Sequence, residues 1–309
     1  MEAVLDIDHV SKSIQGKTII HDLAFTVFAG EVFGFLGPNG AGKTTTIRMM
    51  VGLSSPDSGD IRIHGHSIQK AYKQAIAHVG AIVENPELYT HLTAEQNLVH
   101  FARMNGKVDK DRIQELLRLV RLENVKNKRV RTFSLGMKQR LGIAQALIHR
   151  PKLLILDEPT NGLDPEGIRM VRDYLRQLAK EEGLAVVVSS HLMSEMELMC
   201  DRFAILQEGH LVDIEQTSDE SNEDTRLTYR LEFTPGQQSE AQHAIHAFDP
   251  SAKARLQGDH IFASFYKTQL PDLIRHLSSE AIDMYELREE KVTLEDRFLS
   301  VTSRKEASS

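Results

Sequence analysis

At 309 residues, with 26% charged and 41% hydrophobic residues, the chain has the composition of a globular protein long enough for two domains. Its formal charge of −7 argues against a broad nucleic-acid footprint, so no nucleic-acid partner is expected. No apolar run approaches the ~18 residues that cross a bilayer, Met1-Glu2-Ala3-Val4-Leu5-Asp6 has no signal-peptide character, and the one cysteine, Cys200, excludes an intramolecular disulfide; a cytosolic chain is expected.

Residues 3–10 and 18–28 alternate or run apolar like strands, with Gly16-Lys17 marking a turn between them. Glu31 to Leu36 reads as a buried strand and Thr45 to Gly52 as a helix. Between them, Gly37-Pro38-Asn39-Gly40-Ala41-Gly42-Lys43-Thr44 fits the phosphate-binding pattern G-x-x-x-x-G-K-[ST]. The glycines let the backbone wrap so that successive N–H groups point at the α- and β-phosphates. Lys43 can reach the β- and γ-phosphates, and the Thr44 hydroxyl can ligand Mg2+. The chain is therefore expected to bind a nucleoside triphosphate.

Strands are predicted near 60–64 and 79–83, and helices over 94–104, 111–120 and 136–149. The last helix is entered through Phe133-Ser134-Leu135-Gly136-Met137. Ser134 is a good N-cap there, and Gly136 allows close backbone approach at the positive end of the helix, giving a second phosphate-facing terminus. Strand 152–156, helix 166–182, strand 184–190 and helix 192–199 follow. The first of these strands ends in Asp157-Glu158: Asp157 can bind Mg2+ beside the phosphate loop, and Glu158 can orient or activate the attacking water. A hairpin, Phe203–Leu206 with His210–Val212, closes this part. Alternating strands and helices predict an α/β domain with a mostly parallel sheet.

Residues 1–215 are accordingly expected to form the nucleotide-binding domain, and 216–226, acidic and almost without apolar residues, a solvated linker. Strand, helix, strand, helix and strand patterns over 227–233, 238–248, 260–265, 270–277 and 281–287 predict a small α+β accessory domain spanning 227–303, with a frayed tail at 304–309. His64-Gly65-His66 and His243/His246 lack a third clear ligand and are expected at the surface.

Together these motifs resemble the nucleotide-binding subunit of ABC transporters over about residues 3–215. Gly37 to Thr45 matches Walker A, Leu153 to Asp157 Walker B, and Glu158 the catalytic carboxylate. Ser134-Leu135-Gly136-Met137 matches the signature, usually L-S-G-G-Q; Asn161-Gly162-Leu163-Asp164 matches the D-loop, and His191 the switch histidine. The resemblance implies a P-loop ABC-type domain with a helical subdomain, using ATP and Mg2+. It implies that His191 contacts the γ-phosphate and that two subunits form a head-to-tail homodimer. Each ATP would lie between one subunit's Walker motifs and the other's Ser134 and Gly136, with Asp164 shaping the dimer contact. A separate transmembrane permease subunit would hold the pair at the cytoplasmic face of the membrane.

Three departures bear on function. The signature has Leu135 and Met137 where the commonest pattern has glycine and glutamine, but Ser134 and Gly136 remain, so the phosphate contact is expected to survive. Glu84, in Ile82-Val83-Glu84-Asn85-Pro86, occupies the Q-loop position where most relatives carry glutamine. Glutamate there resembles the subgroup that exports bacitracin and lantibiotic-type peptides or gives immunity to them. An acid near triphosphate oxygens requires a screening cation, so Glu84 is expected against Mg2+ or turned toward the partner. Where the family often stacks adenine on an aromatic ring, Val10 to Gly16 offers Ile14 or Ser13, so selection of ATP over GTP is expected to be weak. A soluble ABC ATPase of DNA repair or translation usually carries two such domains or coiled-coil insertions, neither visible here. A non-catalytic regulatory module would not need both Glu158 and His191.

Overall fold

A computed structural model of the chain describes residues 2–106, 108–217 and 226–290. The chain divides into two compact units, Met1–Thr217 and Ser218–Ser309. Most of the linker expected at 216–226, together with 291–303 and the tail 304–309, lies outside the described residues.

In the first unit, β1 (Ala3–Ile14) and β2 (Lys17–Phe28) form an antiparallel hairpin, followed by β3 (Val32–Leu36) and α1 (Lys43–Met50). Strands β4 (Ser58–Ile63) and β5 (His66–Ser67) and helix α2 (Tyr72–Ile76) lead to β6 (Val79–Ile82). Three helices, α3 (Ala94–Met104), α4 (Lys110–Leu119) and α5 (Leu135–Ala146), intervene before β7 (Leu153–Asp157). Then come α6 (Pro165–Glu182), β8 (Ala185–Ser190), α7 (Met193–Met199), β9 (Arg202–Gln207) and β10 (His210–Gln216).

These strands make two sheets. One is antiparallel, in the order β2-β1-β4-β5; the other runs β10-β9-β3-β8-β7-β6 and is parallel except for β10. Every residue of β3, β7 and β8 is buried, which explains why their sequences run continuously apolar instead of alternating. Phe33, Phe35, Ile155 and Val187 of the parallel sheet share one core with Val10, Leu23 and Phe25 of the antiparallel sheet and with Ile47 and Met50 of α1. Leu36 pairs with Ser190, and Asp157 with Ser189, so the loops leaving β3, β7 and β8 emerge side by side at the carboxyl edge of the sheet. That edge is where open α/β sheets bind ligands.

The helices between β6 and β7 start on strong caps. Thr93 and Gln96 exchange a capping box at the head of α3, and Asp109 accepts from the backbone of Asp111 and Arg112 at the head of α4. Fully buried Asn97 fastens the approaching loop: its Oδ1 accepts from Tyr89 N at 2.8 Å, and its Nδ2 donates to Tyr89 O at 3.0 Å.

In the second unit, β11 (Arg226–Phe233), α8 (Gln238–Phe248), β12 (Arg255–Gln257), β13 (His260–Tyr266), α9 (Leu270–Ser279) and β14 (Met284–Glu289) alternate as β-α-β-β-α-β. The sheet order β12-β13-β11-β14, antiparallel at every pairing, is the split βαβ arrangement. Its core joins Leu231, Phe233, Ile261 and Phe265 to Ala241, Ile245, Leu273 and Leu277.

Candidate nucleotide site

The loop from Gly37 to Gly42 takes its shape from glycines in left-handed or tightly packed positions. Gly40 and Gly42 have φ of 85° and 105°. A Cβ on Gly42 would lie 2.4 Å from Ile20 Cδ1, and one on Gly37 would lie 2.5 Å from the Leu206 carbonyl oxygen. Gly209 N donates to Ala41 O at 3.0 Å, so the turn between β9 and β10 is fastened to the loop from behind. Because Gly42 is left-handed and caps α1, the helix begins at Lys43, two residues before the expected Thr45.

Lys43 is only 6% exposed. Its Nζ donates to Gly37 O at 2.6 Å and to Pro38 O at 3.3 Å, and stands 3.7 Å from Glu158 Oε1. Burial lowers its pKa below the usual lysine value, while Glu158 and Asp157 act in the opposite direction. An open cleft of ≈ 520 Å³ runs over this loop, lined by Pro38, Asn39, Gly40, Gly42, Lys43, Thr44, Thr45 and Glu158, with Ile14, Gln15, Lys17 and Ile19 at β1 and β2. The cleft thus combines a helix N-terminus, a buried cation and an apolar rim, the features a triphosphate and a base require.

The second half of the site hangs from β8. Ser189 Oγ, fully buried, donates to Asp157 Oδ1 at 2.6 Å and accepts from Glu158 N at 2.9 Å. Glu158 sits at φ 47°, a left-handed conformation rare for a residue with a side chain. Its Oε2 accepts from Asn161 Nδ2 and lies 3.1 Å from His191 Nδ1. One carboxylate therefore touches the phosphate-loop lysine, the start of the D-loop and the switch-position histidine.

Other expected site residues lie apart from the cleft lining. Ser134 caps α5, its Oγ accepting from Met137 N at 3.3 Å, and Asp164 caps α6, its Oδ1 accepting from Gly167 N at 2.9 Å. A Cβ on Gly162 would come within 2.8 Å of Leu135 Cδ2, and one on Gly136 would meet Leu163 Cδ2 at 3.5 Å, so the signature turn packs on the D-loop. Glu84, at φ 67°, meets Arg48 in the last turn of α1: Oε1 accepts from Nη2 at 2.5 Å. Arg48 thus places a cation directly beside the Glu84 carboxylate. Of the two residues offered for the base, Ile14 lines the cleft, whereas Ser13 turns to Asp57 through its amide, 2.6 Å from Oδ2.

Sequence reasoning missed Ser189, Arg48, Gln15 and Lys17. A hydroxyl at a strand end carries no periodic signal, and Arg48 reads as one more polar position on a helix. Only the loop Gln15-Gly16 hinted at the base end.

A family model described as ABC transporter matches residues 20–161. An uncharacterized ABC transporter ATP-binding protein of Bacillus subtilis (strain 168), YhcH, is 53% identical over 302 residues, spanning 98% of this chain and 97% of that protein. The bacitracin transport ATP-binding protein BcrA of Bacillus licheniformis is 46% identical over 213 residues, 69% of this chain and 70% of BcrA. Among solved structures, an ATP-binding subunit of an ABC transporter aligns with a TM-score of 0.63 at 33% identity, over 70% of this chain and 91% of its own. The chain belongs to the ATP-binding proteins of ABC transporters: it is an ATPase subunit that works with separate transmembrane components.

Proposed function

We propose that this ATPase powers an exporter, as a homodimer seated on a separate permease at the cytoplasmic face of the membrane, with peptide antibiotics or similar drugs as cargo. The observation that carries the hydrolytic part is the convergence on Glu158 of Lys43, Asn161 and His191. The amides of Gly37 to Thr45 and the Lys43 ammonium bind and orient the triphosphate. Glu158 aligns water in line with the γ-phosphate and takes its proton, and His191 holds the γ-phosphate side of the site. Thr44 and Asp157 are hard oxygen donors of the kind Mg2+ takes alongside substrate phosphates, and Ser189 fixes one Asp157 oxygen. When bound, Mg2+ would supply charge that neutralises the triphosphate. Ser134 and Gly136 complete the partner's site across the dimer, and Asp164 shapes that contact. The cargo class rests on Glu84 and on the likeness to the bacitracin transport protein.

Glu84 is the test of the exporter reading. Both members of the Glu84–Arg48 pair are more than a third exposed, so losing the contact changes stability by at most about 1 kcal/mol. Glu84→Ala should leave phosphate release by the purified subunit within about twofold of the parent while sharply lowering peptide efflux in cells carrying the membrane component. Parental efflux in that variant makes Glu84 a bystander and removes the main support for the peptide-exporter assignment.

The base end of the cleft makes a separate prediction. Ile14 offers apolar contact without a ring, so GTP should compete for the site with an affinity within about tenfold of ATP, measured by displacement of a fluorescent nucleotide. A hundredfold preference for ATP would assign the reading of adenine to another residue, with Gln15 first to be tested.

A further inference from the structure

Outside the contacts already described, one carboxylate joins the two loops that carry Glu158 and His191. Thr160 Oγ1 donates to Glu195 Oε2 at 2.6 Å, and Ser190 Oγ lies 3.4 Å from the same oxygen. Thr160 and Ser190 are 4% and 3% exposed, and the Glu195 carboxylate they meet is half-buried. A buried hydroxyl deprived of its acceptor is costly, which gives the junction its grip.

Each hydroxyl belongs to a catalytic loop. Thr160 precedes Asn161, whose amide nitrogen holds Glu158, and Asn161 N donates back to Glu158 O at 3.2 Å. Ser190 precedes His191, and its Oγ accepts from Leu192 N at 3.0 Å, closing the turn that displays the imidazole. The two loops therefore meet twice: at the Glu158–His191 contact in the site, and at Glu195 behind it. A left-handed glutamate such as Glu158 persists only where its surroundings over-determine the backbone. Ser189 supplies one restraint from β8, and Glu195 supplies the second from α7.

We infer that Glu195 is a positioning residue for ATP hydrolysis, one that accepts from Thr160 and Ser190 and thereby fixes the Glu158 loop against the His191 loop. It does not line the nucleotide cleft. Its removal lets the loops part by a fraction of an ångström, which is enough to misalign water while the phosphate loop still binds ATP. This inference rests on reading Glu158 as the hydrolytic carboxylate.

Glu195→Ala and Thr160→Val should each lower the maximal rate of phosphate release by about ten- to a hundredfold. Affinity for ATP, by equilibrium titration, should stay within about twofold and the thermal midpoint within about 2 °C, a split that loss of fold would not produce. The double variant should be no slower than Glu195→Ala, because both changes break one junction. Glu195→Gln, whose amide oxygen can accept from both hydroxyls, should recover most of the rate. Parental turnover in Glu195→Ala or Thr160→Val, additive losses in the double variant, or a rate loss that follows ATP affinity overturns the inference. If Glu195→Ala fails to fold, Thr160→Val and Glu195→Gln decide it by the same criteria. Glu158→Gln is measured alongside. If it hydrolyses ATP at the parental rate, the reading of Glu158 and this inference fall together. If it is inactive while Thr160→Val is unimpaired, only the role of Glu195 falls.

Discussion

Glu158→Gln should bind ATP as tightly as the parent and hydrolyse it at least about a hundredfold more slowly, the range that loss of a positioned general base produces. The separation follows from geometry. Triphosphate binding depends on the loop amides, on Lys43 and on Thr44, none of which needs Glu158 for its position: Lys43 is held by the Gly37 and Pro38 carbonyls. The glutamine oxygen can still accept from Asn161, so the left-handed turn at 158 keeps its nearest brace. What disappears is the carboxylate oxygen that faces Lys43 and can accept a proton. In the proposed homodimer, bound ATP then persists between subunits, and light scattering should show an ATP-dependent dimer in the variant under conditions where the parent returns to monomer. Hydrolysis at the parental rate would refute the assignment of Glu158.

Lys43→Ala should weaken ATP binding by about ten- to a hundredfold or more, matching the roughly 1.5–3 kcal/mol of a charge-assisted hydrogen bond. It should do so without unfolding the protein. Burial disfavours the ammonium where it stands and offsets part of what its bonds to the Gly37 and Pro38 carbonyls contribute, so the fold gives up little when the side chain is removed. The apo thermal midpoint should therefore change by only a few degrees, whereas the rise in midpoint that ATP gives the parent should shrink or vanish. An undiminished ATP-induced shift in Lys43→Ala would mean that the triphosphate lies elsewhere.

Much of the first unit is legible in the sequence because the central strands of its parallel sheet are buried on both faces. Val32–Leu36, Leu153–Asp157 and Ala185–Ser190 appear as apolar runs, and runs of that length beside glycine-rich loops leave few alternatives. The elements that escaped notice are those that are exposed or very short. Arg255–Gln257 is exposed at every residue, and only its register against His260–Phe262 makes it a strand. His66–Ser67 and Tyr72–Ile76 are too short to establish a period. The second hairpin strand runs on to Gln216, beyond the expected Val212, because Gln216 still pairs with Arg202 despite its polar sequence.

The candidate site divides in the same way. Lys43, Asp157, Glu158 and His191 announce themselves through motif and order. Their supports do not, since Ser189 meets Asp157 across 32 residues of chain and Glu195 meets Thr160 across 35. Such pairs exist only once parallel strands lie next to one another. Arg48 illustrates the same limit: its ion pair with Glu84 spans 36 residues of chain and leaves no mark in the sequence.

The helices from Ala94 to Ala146 interrupt the chain between β6 and β7, two strands that are neighbours in the sheet. They are thus an excursion from a plate whose pairing closes without them. Glu84 stands at the entrance of that excursion and Ser134 opens its last helix, while Asn97 pins the entrance loop to the first helix. Lys43, Asp157, Glu158 and His191 consequently lie outside the excursion, and Ser134 and Gly136 within it. A lineage can remodel the first helices of the excursion to suit a new membrane component while keeping the turn at Ser134 and the strands behind it. Descent with the same chemistry and a changed clientele is the history this topology makes easy.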